Sequence, residues 1–244
     1  MKSTRLPKVT HVIFDVDGLI IDSERLYTEV TQRILDEFGK TFTWEMKSKQ
    51  MGRKETESAK IIIDEMQLPL TVGEYLKRMR VQKEELFPSV PLLPVTNTIL
   101  NSKVIYGAEK LIRHLHKSKV PIAVATGSDS HGFELKISRH RELFQLFQHI
   151  VLNSEDPEVR HGKPAPDCFL VAAKRFPDHP SPERVLVFED APNGVEAAHA
   201  AGMPCVWVPD PRADKDSLAN KATVILDSLE KFVPEDFGLP PYDS

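Results

Sequence analysis

Cysteine is scarce in this chain: two in 244 residues, Cys168 and Cys205, far apart and with no Cys-x-x-Cys or Cys/His cluster. That excludes a disulfide framework and a structural zinc site, and it fits a reducing, cytoplasmic setting. A bias in charge is lacking too. Against 36 acidic side chains stand 32 basic ones, a formal net charge of -4, which exerts no long-range pull on nucleic acid or an anionic membrane. No apolar run approaches the roughly 20 residues that span a bilayer. The run after Lys2, Arg5 and Lys8 breaks at Asp15 with no small-residue cleavage site behind it, so no signal peptide is expected. Also missing are a Gly-x-Gly-x-x-Gly after a strand, a Walker P-loop around Gly162-Lys163, the second glycine of a nucleophile elbow at Thr126–Ser130, and His-Glu-x-x-His. There are no repeats, and no exposed heptad pattern suggests obligate assembly, so the expectation is a monomer acting on a small molecule.

What is present reads as an α/β protein. Short β-branched runs, Val12–Phe14, Ile122–Ala125, Ile150–Leu152, Val185–Phe188, Cys205–Val208 and Val224–Leu226, alternate with helical stretches. That alternation predicts a doubly wound, Rossmann-like parallel sheet with helices on both faces. Ligands of such sheets sit at the carboxyl ends of the strands, where these runs deliver Asp15, Thr126, Asn153, Glu189 with Asp190, and Asp210. Between the first two runs, from about Ser23 to Pro91, the pattern is helical throughout (Leu26, Val30, Ile34, Leu35, Phe38; then Ile61–Ile63 and Met66), which predicts an inserted helical domain over the strand ends. Asp22 is placed to cap its first helix, with Glu24 in the first turn. Pro88, Pro91 and Pro94 mark the return to the core.

Val12-Ile13-Phe14-Asp15-Val16-Asp17-Gly18 is the most informative run. Residues i and i+2 leave an extended segment on one side, so Asp15 and Asp17 can face one reaction centre while Gly18 turns the chain away. An ordinary Asp-Gly turn closing a strand would read the same way. Val185–Asp190 repeats the logic, with Asn193 placed to cap a helix Val195–Ala201 and Gly202 to end it. Asp15, Asp17 and Asp190 would offer a hard cation such as magnesium an oxygen-rich site. Lys163, extended ahead of Pro164 and with Pro166 suited to a helix first turn, could neutralise phosphate and carboxylate charge, although taken alone it reads as a surface lysine. Thr126 and the next backbone N–H, that of Gly127, could hold a phosphoryl oxygen, as could many a strand-end threonine.

In this order, Asp15-x-Asp17-Gly18, Thr126, Lys163-Pro164 and Glu189-Asp190 resemble the four motifs of the haloacid-dehalogenase superfamily, with its helical cap between the first and second. Across nearly the whole chain the wording is similar to that of animal pseudouridine 5′-monophosphate phosphatases, notably Thr10–Asp15, Ile61–Asp64, His161–Pro164, Phe188–Ala198 and Phe237–Pro240. The resemblance implies a core of residues 1–22 and 95–244 with a cap of 23–94. It implies phosphomonoester hydrolysis through an aspartyl-phosphate, with Asp15 attacking phosphorus and Asp17 moving the protons. Magnesium would be held by Asp15, the Asp17 carbonyl and Asp190, with Glu189 acting through water. Thr126, Gly127 and Lys163 would bind the phosphoryl group, and Gly52, Arg53 and Lys54 would form the cap loop that reaches the substrate. One segment departs from these relatives: about twelve residues, Val95 to Tyr106, intervene at the hinge between cap and core. The leading expectation is a phosphatase acting on a nucleoside monophosphate such as pseudouridine 5′-phosphate. A sugar-phosphate phosphatase, a phosphomutase using the same residues, or an impaired scaffold serving as an interaction module stay open. Asp17 disfavours a dehalogenase.

Overall fold

Strands buried on both faces need continuous apolar runs rather than alternation, and the six runs form six strands. The computed structural model describes residues 6–50, 53, 55–87 and 107–243. The strands are β1 (His11–Phe14), β2 (Ile122–Thr126), β3 (His149–Leu152), β4 (Val185–Glu189), β5 (Cys205–Trp207) and β6 (Val224–Ile225), all parallel in the order β3-β2-β1-β4-β5-β6. β1 lies between β2 and β4, with Phe14 opposite Val124 on one side and Phe188 on the other. The direction of strand addition reverses at the β1/β4 pair, the place where open α/β sheets bind ligands.

Side chains of alternate residues go to opposite faces. Val12, Phe14, Leu186 and Phe188 pack on α5 (Ala108–Lys117) and α7 (Arg141–Phe144), and the Phe14 and Phe188 rings stack 4.9 Å apart. Ile13, Ala123, Val187 and Cys205 face the other way, toward α8 (Asp167–Lys174) and α9 (Pro192–Ala200). α6 (Ser130–Ile137) follows β2, capped by the Asp129 carboxylate on the Gly132 N–H at 2.6 Å.

Between β1 and α5 stand four helices and, among the described residues, no strand: α1 (Glu24–Asp36), α2 (Trp44–Ser48), α3 (Glu55–Met66) and α4 (Val72–Leu86). α1 buries Leu26, Val30, Thr31, Ile34 and Leu35 on one stripe, and α4 buries Tyr75, Met79 and Lys83. α4 opens with a capping box in which Thr71 Oγ1 accepts from the Glu74 N–H and Glu74 Oε2 accepts from the Thr71 N–H. Pro88, Pro91, Pro94 and the segment Val95–Tyr106 lie outside the described residues.

Two expected helix caps are not found. α1 starts after Ser23 rather than Asp22, and Ser23 makes no side-chain cap because its hydroxyl is spent on Asp17. α9 starts at Pro192 after Ala191, so Asn193 falls inside the first turn: the fixed φ of proline sets the start a residue or two early. Gly202 does end α9, with φ +73° and the Met203 N–H returning to the Ala198 carbonyl at 3.0 Å.

Candidate active site

The carboxyl ends of β1 and β4 deliver three acids to one point. Asp15 follows β1, its N–H bound to the Phe188 carbonyl at 3.0 Å; Glu189 ends β4 and Asp190 follows it. All three are buried, and their carboxylate oxygens come within 4.8 Å of one another. Lys163, also buried, donates to Asp15 Oδ1 and to Glu189 Oε1 at 2.5 Å each and to the Ala125 carbonyl at 3.2 Å. The isolated reading of Lys163 as a surface lysine is thus displaced by its partners. Glu189 Oε2 accepts the N–H groups of Asp190 and Ala191 at 3.0 Å.

Two glycines make room for this packing. A Cβ on Gly18, where φ is +76°, would run into the Asp190 carboxylate, and a Cβ on Gly194 in the first turn of α9 would occupy the place of the Glu189 carboxylate.

Asp17 is held by a different set of donors. Its Oδ1 accepts from Ser23 Oγ at 2.5 Å and Lys136 Nζ at 2.7 Å; its Oδ2 accepts from Lys136 at 2.6 Å and Ser128 Oγ at 3.0 Å, with Thr126 Oγ1 at 3.5 Å. Lys136 also reaches Ser128 Oγ at 2.5 Å and Tyr27 OH at 3.3 Å. Sequence reading passed over Lys136, Ser128 and Ser23. A signal for Lys136 existed: it shares the buried face of α6 with Gly132, Phe133 and Ile137, a poor place for a lysine without a partner.

These surroundings drive the two aspartates apart. Burial pushes the Asp15 carboxyl up to about 7, with Lys163 opposing and Glu189 and Asp17 reinforcing. Burial would also raise Asp17, but Lys136 and the serine hydroxyls outweigh it and the net shift is downward. Asp190 rises well above the carboxylate range through burial beside Glu189 and Asp15. Burial lowers Lys163, yet Asp15 and Glu189 more than compensate and hold it firmly protonated.

Over this floor lies a cavity of about 120 Å³, bordered by Asp15, Asp17, Gly127, Ser128, Glu189 and Asp190 below and by residues of α1–α4 and Arg53 above. On this measure one water needs ~10–15 Å³, so the space takes several waters or a small ligand. Thr126 is fully buried beside Asp17, and Gly127 borders the cavity next to the Arg53 carbonyl. The chain therefore brings Asp15, Asp17, Thr126, Gly127, Lys163, Glu189, Asp190 and Arg53 to one site; Gly52 and Lys54 lie outside the described residues.

A family model for haloacid dehalogenase-like hydrolases matches residues 9–202. The chain belongs to this family. This hydrolase is 47% identical over 242 residues to a probable pseudouridine-5′-phosphatase of Drosophila melanogaster, covering 99% of both chains. It is 48% identical over 238 residues to (DL)-glycerol-3-phosphatase 2 of Arabidopsis thaliana, covering 96% of this chain and 93% of that one. With phosphatases as relatives at this identity, the hydrolase is an enzyme of phosphatase type. In fold it resembles a β-phosphoglucomutase of Clostridium difficile, with a TM-score of 0.72 at 19% identity, over 93% of this chain and 94% of that one. No helix among the described residues is long and apolar enough to cross a membrane.

Proposed function

We propose that this hydrolase is a magnesium-dependent phosphomonoesterase working through an aspartyl-phosphate, with a nucleoside monophosphate such as pseudouridine 5′-phosphate as substrate. The carrying observation is the meeting of Asp15, Glu189, Asp190 and Lys163 under the helical insert. Three buried acids stand around one ammonium, which bonds two of them, and burial, reinforced by the neighbouring carboxylates, raises Asp15 and Asp190. An all-oxygen donor set in excess of its compensating charge fits a hard divalent cation. Asp15, Asp190 and the Asp17 carbonyl would hold it, with Glu189 behind them. When bound, magnesium supplies positive charge beside the carboxylate and phosphoryl oxygens.

On this reading the Asp15 carboxylate attacks phosphorus, and the bond to the leaving oxygen breaks as that oxygen takes a proton from the minor, strongly acidic protonated form of Asp17. Asp17 then takes a proton from the water that cleaves the aspartyl-phosphate and frees Asp15. Lys163, Thr126 and the Gly127 N–H bind the phosphoryl oxygens, so most of the work is positioning and charge stabilisation. The insert, with Arg53, acts as a cap that excludes water and selects the leaving group. Phosphate release across nucleoside, glycerol and hexose monophosphates, with and without magnesium, tests the proposal. Release from no ester would overturn it, and an isomeric phosphate ester in place of inorganic phosphate would mark a mutase.

A further inference from the structure

Asp210, delivered by the run after β5, has no part in the phosphoryl chemistry, because it does not border the cavity. Its carboxylate is forked onto Arg212: Oδ1 accepts from the Arg212 N–H and Nε at 2.9 Å each, and Oδ2 accepts from Nη2 at 2.8 Å. The fork fixes the guanidinium, which lies over the ring of Trp44, the first residue of α2, with Cζ 4.2 Å from the ring centroid. Core and insert thus meet as a cation and an aromatic face. Each half is tied to a different part of the site. On the core side, the strand leading to Asp210 is bonded to the acid cluster: the Val208 N–H donates to the Glu189 carbonyl and the Trp207 indole N–H to the Asp190 carbonyl, both at 2.7 Å. On the insert side, α2 opens on a Thr43 cap and carries Lys47, one turn after Trp44, into the cavity wall. Lys47 is paired with Glu24 at 2.9 Å. Lys47 also attracts Asp210, and Glu24 attracts Arg212, so attraction crosses the seam twice.

We propose that Arg212 is a positioning residue: held by Asp210, it clasps Trp44 and keeps α2, with Lys47, down over the cavity, and the parting of this clasp opens the site. What passes through the opening, ester in and product out, rests on the phosphatase reading above; the clasp itself does not. The contact suits a joint that must part. With the insert lifted, Arg212 keeps its fork to Asp210, and its side chain is already 60% exposed, so separation strips neither partner of a hydrogen bond. A cation–π contact at an exposed site is worth about threefold in an equilibrium constant. That biases two states of similar free energy and locks neither.

The test is a distance across the seam. Cys168 and Cys205 are buried, so nitroxide labels go to cysteines introduced at exposed positions, Lys60→Cys in α3 and Asn220→Cys in the core. Pulsed electron paramagnetic resonance on the ligand-free full chain then reads the ratio of short to long separations. Arg212→Ala should move that ratio about threefold toward the longer distance. Trp44→Leu should match it, and the double variant should go no further, because both changes break one contact. Trp44→Phe keeps a ring face and should stay near the wild type. In the unlabelled proteins Arg212→Ala should raise KM about threefold, for the ester hydrolysed best, without lowering kcat. Unchanged distances in Arg212→Ala, additive shifts in the double variant, no rescue by Trp44→Phe, or a fall in kcat with KM unmoved would each overturn the proposal. The distance needs no ester: a clasp-dependent shift in a protein that releases no phosphate would keep this inference and discard the phosphatase reading, and phosphate release with unchanged distances would do the reverse.

Discussion

Lys136 is fully enclosed and gives its ammonium to both oxygens of Asp17, 119 residues earlier in the chain. Replacing it with methionine leaves Asp17 ionised and short of its counter-charge, a change that costs about 3 kcal/mol when a buried pair is broken from one side. Because the folded pKa of Asp17 is depressed, the wild-type advantage is present above the unfolded carboxylate value of about 3.9 and fades as pH falls toward the folded value. Denaturant unfolding of Lys136→Met should therefore show its full loss at pH 7 and a smaller one near pH 3. Asp15 behaves in the opposite sense. Its folded pKa is raised to about 7, so in the cation-free protein its contribution is best below about pH 4 and is lost as pH rises through about 7. Asp15→Asn should abolish phosphate release and, with chelator present, raise stability at pH 7.5 by about 2 kcal/mol, with no gain at pH 4. Equal stability at both pH values would refute the electrostatic account.

Helix starts show where local sequence is a sufficient guide and where it is not. Thr71-x-x-Glu74 forms a capping box out of residues three apart in sequence, so Thr71→Ala should lower unfolding stability by about 1 kcal/mol in denaturant titration. Asp22 misleads: α1 starts one residue later than expected, and the Ser23 hydroxyl that stands at its start is drawn away by Asp17, a tertiary partner that local rules do not see. α9 carries a further demand: its Gly194 lies against the Glu189 carboxylate, which Lys163 and two backbone N–H groups hold in place. Gly194→Ala forces that carboxylate out of its pocket, an overpacking cost of about 1–3 kcal/mol. It should also reduce phosphate release well beyond what the lost stability explains, measured on the folded fraction.

At the scale of the whole molecule the sheet was legible because its strands are buried on both faces and so are written in uninterrupted β-branched residues. The acids were legible because they end those runs: Asp15, Glu189 and Asp190 need no more than the strand pattern to be placed together. The residues from helices were not. Lys136 looks like any lysine of an amphipathic helix, and what sets it apart is a partner gained across the fold. The convergence of acids also makes a prediction for the intact protein. A cation bound by the native state alone stabilises it by about 2.7 kcal/mol at one hundred times its dissociation constant. Magnesium should thus raise the melting temperature of the wild type, and Asp190→Asn should remove that shift. A shift unchanged in Asp190→Asn would place the metal elsewhere.

The central position of β1 has a consequence in time. This strand is made before both of its neighbours, and its register with β4 runs from His11–Val185 to Phe14–Phe188. At a synthesis rate of roughly 5–20 residues per second, about 10–35 s pass between the emergence of Phe14 and that of Phe188. Throughout that interval an apolar strand, with Asp15 of the acid cluster at its tip, lacks one of the two edges that will enclose it. Ribosome-bound chains stopped short of Val185 should hold β1 open to protease or chaperone, and Asp15 and Glu189 can meet across Lys163 only after that delay has run out.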